Sequence, residues 1–283
     1  KTKTDNKDSL FNDIQILILL KFSFTFIRIN LLTMNIKLSF ILPCYNVDKY
    51  IAECLDSLYA QDIPESEFEV ICVNDCSPDG TRDIIVAYQK KYLNLKLIDH
   101  EVNRKQGGAR NTGLRAAQGE YIWFVDPDDY IKTTEVARML KVCEDNTLDI
   151  FQFNYEKVSN KGEFLFLKNN VPDSTVISGS EYTKTVLGVS FLNNYDLSVC
   201  SRLYKTDYLR NNSIFFIENT IFEDLEFSLR SILLAKRIKS SSDSYYCYRD
   251  NPASTMNVLA GKYRGNDIFQ VSIIIGKGIL KLA

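Results

Sequence analysis

Between residues 37 and 125, four short apolar runs alternate with three stretches of helical period, and this alternation limits the fold more than any other property of the chain. The apolar runs lie at 38–42, 68–73, 95–98 and 121–125. The stretches between them place apolar residues three or four positions apart: Ile51, Leu55 and Leu58 in 48–60, Ile84, Ile85 and Tyr88 in 83–92, and Ala109, Leu114 and Ala117 in 108–117. Strands separated by helices of this length need right-handed crossovers. The expectation is an α/β fold with a Rossmann-like, mostly parallel central sheet flanked by helices. Ligands of such sheets bind beyond the carboxyl ends of the strands, so those ends carry the functional reading.

Composition narrows the chemistry. A chain of 283 residues that is 45% hydrophobic and 25% charged can bury a sizeable core, as one large domain or one domain with an extension. With 34 basic and 36 acidic residues it has no overall field that favours nucleic acid or an anionic membrane, so any anion is bound locally. The seven cysteines are odd in number and scattered, which suits a reducing compartment better than a disulfide framework. There is one histidine, His100, which argues against zinc sites and histidine-based triads. Carboxylates are left to do the chemistry.

Three strand ends stand out. The first runs into Pro43-Cys44-Tyr45-Asn46, the second into Asn74-Asp75 and the turn to Thr81, and the fourth into Asp126-Pro127-Asp128-Asp129. Tyr45 offers a flat face to a base and Asp75 an acceptor to a base or sugar, while Asp79-Gly80 reads as a turn and helix cap. Three carboxylates in four positions repel one another unless a positive group lies among them. A divalent cation carrying a diphosphate is one such group, and a solvated acidic turn nucleated by Pro127 is the alternative. Before the third helix, NRKQGGARN at 103–111 sets two glycines and three basic residues where a helix start would favour phosphate, a weak signal alone. It does not match the dinucleotide glycine pattern.

After Ile131 the regularity loosens. A strand at 149–158, a turn at 160–162 and a returning strand at 163–167 form a hairpin. Helices are expected at 178–187 and 205–211, a short strand at 214–217, and a helix over 221–235 with Glu223, Asp224 and Glu226 in its first turn. The helix dipole accounts for such acids without any catalytic role. A strand at 245–249, a loop through Pro252 and a final helix complete the reading. The run at 14–33 is cut by Lys21 and Arg28, and reads as a weak membrane anchor, an ordinary helix or strand, or translated upstream sequence. Met34 is expected to open the domain proper.

With these positions set out, the chain resembles family 2 of the inverting, nucleotide-sugar-dependent glycosyltransferases, which carry a metal-binding DxD motif on the A-type glycosyltransferase fold. The resemblance rests on an ordered series: SFILPCYN, EVICVNDCSPDGT, NRKQGGARNTGLRAAQGEYIWFVDPDD, FEDLEFSLR and YYCYRDNPAST. It implies a domain over 34–258, with a nucleotide-sugar half at 34–131, a smaller mixed acceptor half at 132–258, and a helical tail at 259–283. By resemblance Pro43, Tyr45 and Asn46 flank the nucleotide with Tyr45 stacking on the base, Asp75 bonds the uracil ring, and Arg110 contacts the diphosphate or donor sugar. Asp126 and Asp128 are the outer residues of the DxD motif and hold Mn²⁺ or Mg²⁺, with Asp126 also reaching the ribose; Asp129 lies close to the donor sugar. Asp224 matches the general base. Pro127 at the middle of the motif departs from the small residue usual there. The implied donor is a nucleotide-diphosphate sugar, and the implied acceptor a saccharide or lipid-linked saccharide. The implied location is cytoplasmic, with peripheral association with the membrane face left open. A nucleotidyltransferase and a non-catalytic sugar-nucleotide binder are the competing readings.

Overall fold

The computed structural model describes residues 36–132, 134–168, 171–187, 197–220, 223–252 and 254. In the first half, β1 (Leu38–Cys44), β2 (Phe68–Asn74), β3 (Leu95–Asp99) and β4 (Tyr121–Phe124) alternate with α1 (Ile51–Tyr59), α2 (Thr81–Gln89) and α3 (Lys105–Ala116). The strands pair in parallel in the order β3-β2-β1-β4. Every residue of β1 and β2 is buried, which is why these strands read as unbroken apolar runs and not as alternation. Pro43 sits in β1 without disrupting it. β1 pairs with β4 only as far as Ile41, so the missing N–H of Pro43 falls past the end of that neighbour.

The second half contains β5 (Tyr130–Ile131), α4 (Val136–Asp145), β6 (Ile150–Val158), β7 (Phe164–Lys168), α5 (Gly179–Tyr182), β8 (Arg202–Lys205), α6 (Thr206–Asn211), α7 (Glu223–Leu234) and β9 (Ile238–Arg249). It extends the same sheet as β4-β8-β6-β9-β5, with β7 pairing β6 to one side. β8 is antiparallel to both β4 and β6, β9 is parallel to β6, and β5 closes back antiparallel on β9. The fold is thus the α/β arrangement expected, parallel in its first half and mixed in its second. Among the described residues no helix is long and apolar enough to cross a membrane.

Several expectations for the second half are corrected. Residues 214–217 form no strand, because the side chain of Asn111 stands in for a strand partner: its Nδ2 donates to Phe216 O at 2.9 Å and its Oδ1 accepts from Phe216 N at 2.8 Å. The helix expected over 178–187 is α-helical only in α5, capped by Ser178 Oγ, and continues as a π-helical turn over Thr183–Leu187. The strand expected at 245–249 is the end of a longer β9, whose first part is the polar run Lys-Ser-Ser-Ser-Asp-Ser. The expected final helix and residues 1–33 lie outside the described residues.

An aromatic cluster places the start of α7 against the end of β4. Phe124 at the end of β4 packs edge-on against Phe216 and Phe227, whose rings are stacked 3.9 Å apart. Burying each of these rings contributes about 1.5–3 kcal/mol. Two glycines of α3 allow close approach: a Cβ at Gly113 would lie 2.3 Å from Ile41 Cγ2, and one at Gly107 2.7 Å from Ile217 O. The seven cysteines are free thiols, six of them buried; Cys76 is exposed at a positive φ of 65°.

Candidate active site

The strand ends gather as the topology requires. The peptide after β2 is tied to the end of β1 by Asp75 N donating to Cys44 O at 2.8 Å. Tyr45 is 50% exposed and so presents an open ring face at this rim. Asn46 takes a positive φ of 55°, a conformation its short polar side chain tolerates, and donates its N–H to Ser77 Oγ. Asp79 is structural as expected: its two oxygens accept from Thr81 N and Asp48 N, bracing the starts of α2 and of the segment before α1.

Asp75 is buried, and its two oxygens differ. Oδ1 accepts from Arg104 N at 2.8 Å and lies 2.6 Å from His100 Nδ1. Oδ2 is buried without a hydrogen-bond partner among the described residues. An unpaired buried carboxylate oxygen is costly, and at a strand end it is a ready acceptor for a ligand donor group.

The acidic turn is organised by charge. Asp126 Oδ1 accepts from Arg110 NH2 at 2.7 Å, and Asp128 Oδ2 accepts from Asn251 Nδ2 at 3.0 Å. Burial first, and then the neighbouring Asp126, raise the carboxyl of Asp128 above its ordinary value. Asp129 points inward. Its oxygens accept from Tyr246 OH and from Arg249 N at 2.6 and 2.8 Å, and burial, with Asp128 and Asp126, pushes its carboxyl well up. Asp129 is therefore taken up by protein donors.

Arg110 is likewise engaged by the protein. It is 1% exposed, and its NH2 and NH1 bridge Asp126 and Glu223 Oε1, the latter at 2.8 Å. Burial opposes its charge, but Asp126, Asp224 and Glu223 outweigh this and raise it well above the usual value. Burial and the adjacent Asp224 push the carboxyl of Glu223 up to about 7, against the pull of Arg110. Asp224 is half-buried beside this pair at the N-terminus of α7. The other basic groups of 103–111 are spent nearby, Arg104 on Glu218 at 2.6 Å and Lys105 on Asn219 O at 2.9 Å, and the glycines serve packing. The basic groups at this helix start thus form an ion-pair network.

The carboxylates fit a hard divalent cation. Asp126 and Asp128 are oxygen donors, and Asp126 adds to the cost of ionising Asp128, a cost that Mn²⁺ or Mg²⁺ would relieve. No group of three or more His, Cys, Asp or Glu with metal-holding geometry occurs among the described residues, so the remaining ligands would come from diphosphate oxygens or water.

Five residues around the site carried no assigned role in the sequence: His100, Glu223, Tyr246, Arg249 and Asn251. Arg249 ties the acidic turn together, donating to Asp128 O, Asn160 O and Glu53 while its guanidinium lies over Tyr50 and Tyr130. The motif YYCYRDNPAST marked three of the five, but their partners lie more than a hundred positions away, beyond the reach of local spacing.

An open sheet with its ligand groups at the carboxyl ends of parallel strands is the arrangement of nucleotide-binding α/β proteins. Within that class the chain belongs to glycosyl transferase family 2, whose model matches residues 39–212. It is 34% identical over 221 residues to the uncharacterized glycosyltransferase EpsJ of Bacillus subtilis (strain 168), covering 78% of this chain and 63% of that one. To the poly(ribitol-phosphate) beta-N-acetylglucosaminyltransferase TarS of Staphylococcus aureus (strain MW2) it is 37% identical over 217 residues, 75% of this chain and 35% of TarS. The crystal structure of S. aureus TarS 1–349 in complex with UDP-GlcNAc superposes with a TM-score of 0.74 at 31% identity, over 87% of this chain and 67% of that one. The chain thus spans between about a third and two thirds of the length of these two curated relatives.

Proposed function

We propose that this chain transfers a sugar from a uridine-diphosphate sugar, with inversion, to a hydroxyl of a saccharide or polyol-phosphate acceptor, with Asp224 as general base. The observation that carries the reading is the bridge from Asp126 through Arg110 to Glu223 at 2.7 and 2.8 Å, because it brings the Glu-Asp pair of α7 to the same rim as the acidic turn. Family membership and the UDP-GlcNAc bound by TarS support the donor class.

In this reading Tyr45 stacks on the base and the unpaired Oδ2 of Asp75 accepts its imide N–H. Asp126 and Asp128 hold the cation, which neutralises the leaving diphosphate when bound. Arg110 keeps Asp126 and Glu223 at fixed separation, so that the carboxylates do not rearrange as charge moves. Asp224 takes the proton from the acceptor hydroxyl as that oxygen attacks the anomeric carbon in line. No histidine or cysteine is required.

The test is binding and turnover in one protein. UDP affinity should depend on Mn²⁺ in the wild type, and Asp128→Ala should remove that dependence while the melting temperature changes little. Free UDP should form slowly from UDP-GlcNAc with Mn²⁺ present. Metal-dependent affinity surviving in Asp128→Ala would defeat the metal assignment, and bound donor with no UDP release would leave a sugar-nucleotide binder.

A further inference from the structure

His100, the only histidine in the chain, lies just past β3 with its side chain 7% exposed and both ring nitrogens engaged. Its backbone N–H continues the ladder to Asn74 O at 2.9 Å. Nε2 lies 2.9 Å from Thr112 Oγ1 on α3, a hydroxyl that also lies 3.1 Å from Gly108 O. The ring is therefore pinned between a strand end and a helix, and its other nitrogen meets Asp75 Oδ1 at 2.6 Å.

A carboxylate held by one donor can exchange its oxygens by rotating about its terminal torsion, which is a broad and roughly two-fold one. Here the Arg104 N–H and the His100 ring converge on the same oxygen, which removes that freedom and leaves Oδ2 as the oxygen without a partner. We propose that His100 is a positioning residue that aims Oδ2 of Asp75 at the imide N–H of uracil and so sets a preference for uracil over cytosine. This inference rests on the uridine-nucleotide reading above. The chemistry of the choice is simple: uracil presents N3–H as a donor, whereas cytosine presents a bare N3 acceptor that an unpaired carboxylate oxygen repels.

The experiment titrates the full chain with UDP and with CDP at fixed Mn²⁺ by calorimetry and compares the two affinities. Wild type should prefer UDP by roughly ten- to a hundredfold, the scale of one buried hydrogen bond to a charged group. Asp75→Asn should abolish the preference. His100→Ala should weaken UDP binding about tenfold and leave CDP binding as it was. His100→Gln, whose amide can donate to Oδ1, should recover part of the preference. If His100→Ala does not fold, Thr112→Val, which frees the ring from α3, carries the comparison and should show an intermediate loss. A preference intact in both His100→Ala and Thr112→Val while lost in Asp75→Asn would overturn the role of His100 and leave the base reading standing. Equal weakening of UDP and CDP would assign His100 a merely structural part and overturn it too. No preference in the wild type, or one that survives in Asp75→Asn, would bring down the uridine reading and this inference with it.

Discussion

The strands β1 to β4 bring Tyr45, Asp75 and Asp126 to the rim through the backbone, each within two residues of a strand end. The second half reaches the same rim with side chains sent from a distance: Glu223 from the start of α7, and Tyr246 and Arg249 from the end of β9. The first means of delivery depends on where a strand stops. The second depends on long-range packing, such as the Phe124, Phe216 and Phe227 cluster that sets α7 against β4. Substitutions in the first half should therefore change which ligand is held. In the second half they should change whether the reaction proceeds or whether the acidic turn keeps its shape.

Asp224→Asn is the strongest attempt to break this division. The amide keeps the size of the side chain but cannot take the proton, so transfer should fall by about 10²–10⁴-fold while UDP affinity stays near wild type. Glu226→Gln is the control, since Glu226 pairs with Arg230 within α7. A full transfer rate in Asp224→Asn would reduce the acid to a helix-dipole role, and a matching loss of UDP affinity would erase the distinction between the halves.

Arg249→Met sharpens the comparison from the other side. It leaves the half-buried carbonyl of Asp128 and the exposed one of Asn160 without their donors, and should cost about 1–3 kcal/mol in urea denaturation. A cost below about 1 kcal/mol would mean that the pairing of β5 with β9 holds the turn unaided.

The smallest expected effect concerns Asp129. Its carboxyl is held well above the ordinary aspartate value by burial, reinforced by Asp128 and Asp126. The folded chain then binds a proton that the unfolded chain has lost, so the stability this group contributes is complete below the unfolded pKa and is lost as pH rises through the raised one. Asp129→Asn does not titrate. In metal-free protein its melting temperature should decline less from acid to neutral pH than that of the wild type, and an unchanged slope would show that Asp129 does not supply the dependence.

How far the amino-acid order discloses the molecule follows the same division. β1, β2 and β4 are legible because burial on both faces demands apolar runs, and their ends announce Tyr45, Asp75 and the acidic turn. The first part of β9 is not, because its serines and Asp243 have little strand preference, and the strand is held there by the pairing of Ser240 and Ser244 with β6. β8 spans only four residues, Arg202 to Lys205, too few for a period to emerge. Residues 214–217 look like a strand and are not one, since a side chain over a hundred positions away supplies their pairing. Arg110 shows the limit within the site. Its burial between Asp126 and Glu223 is a property of the fold that no local motif contains.

The distribution of thiols has a practical consequence. With six cysteines shut inside and Cys76 open to solvent beside Asp75, a maleimide dye has one accessible attachment point in the unmutated chain. A fluorophore there would stand at the rim formed by the ends of β1 and β2, and its brightness could follow ligand arrival in real time without the removal of any other cysteine.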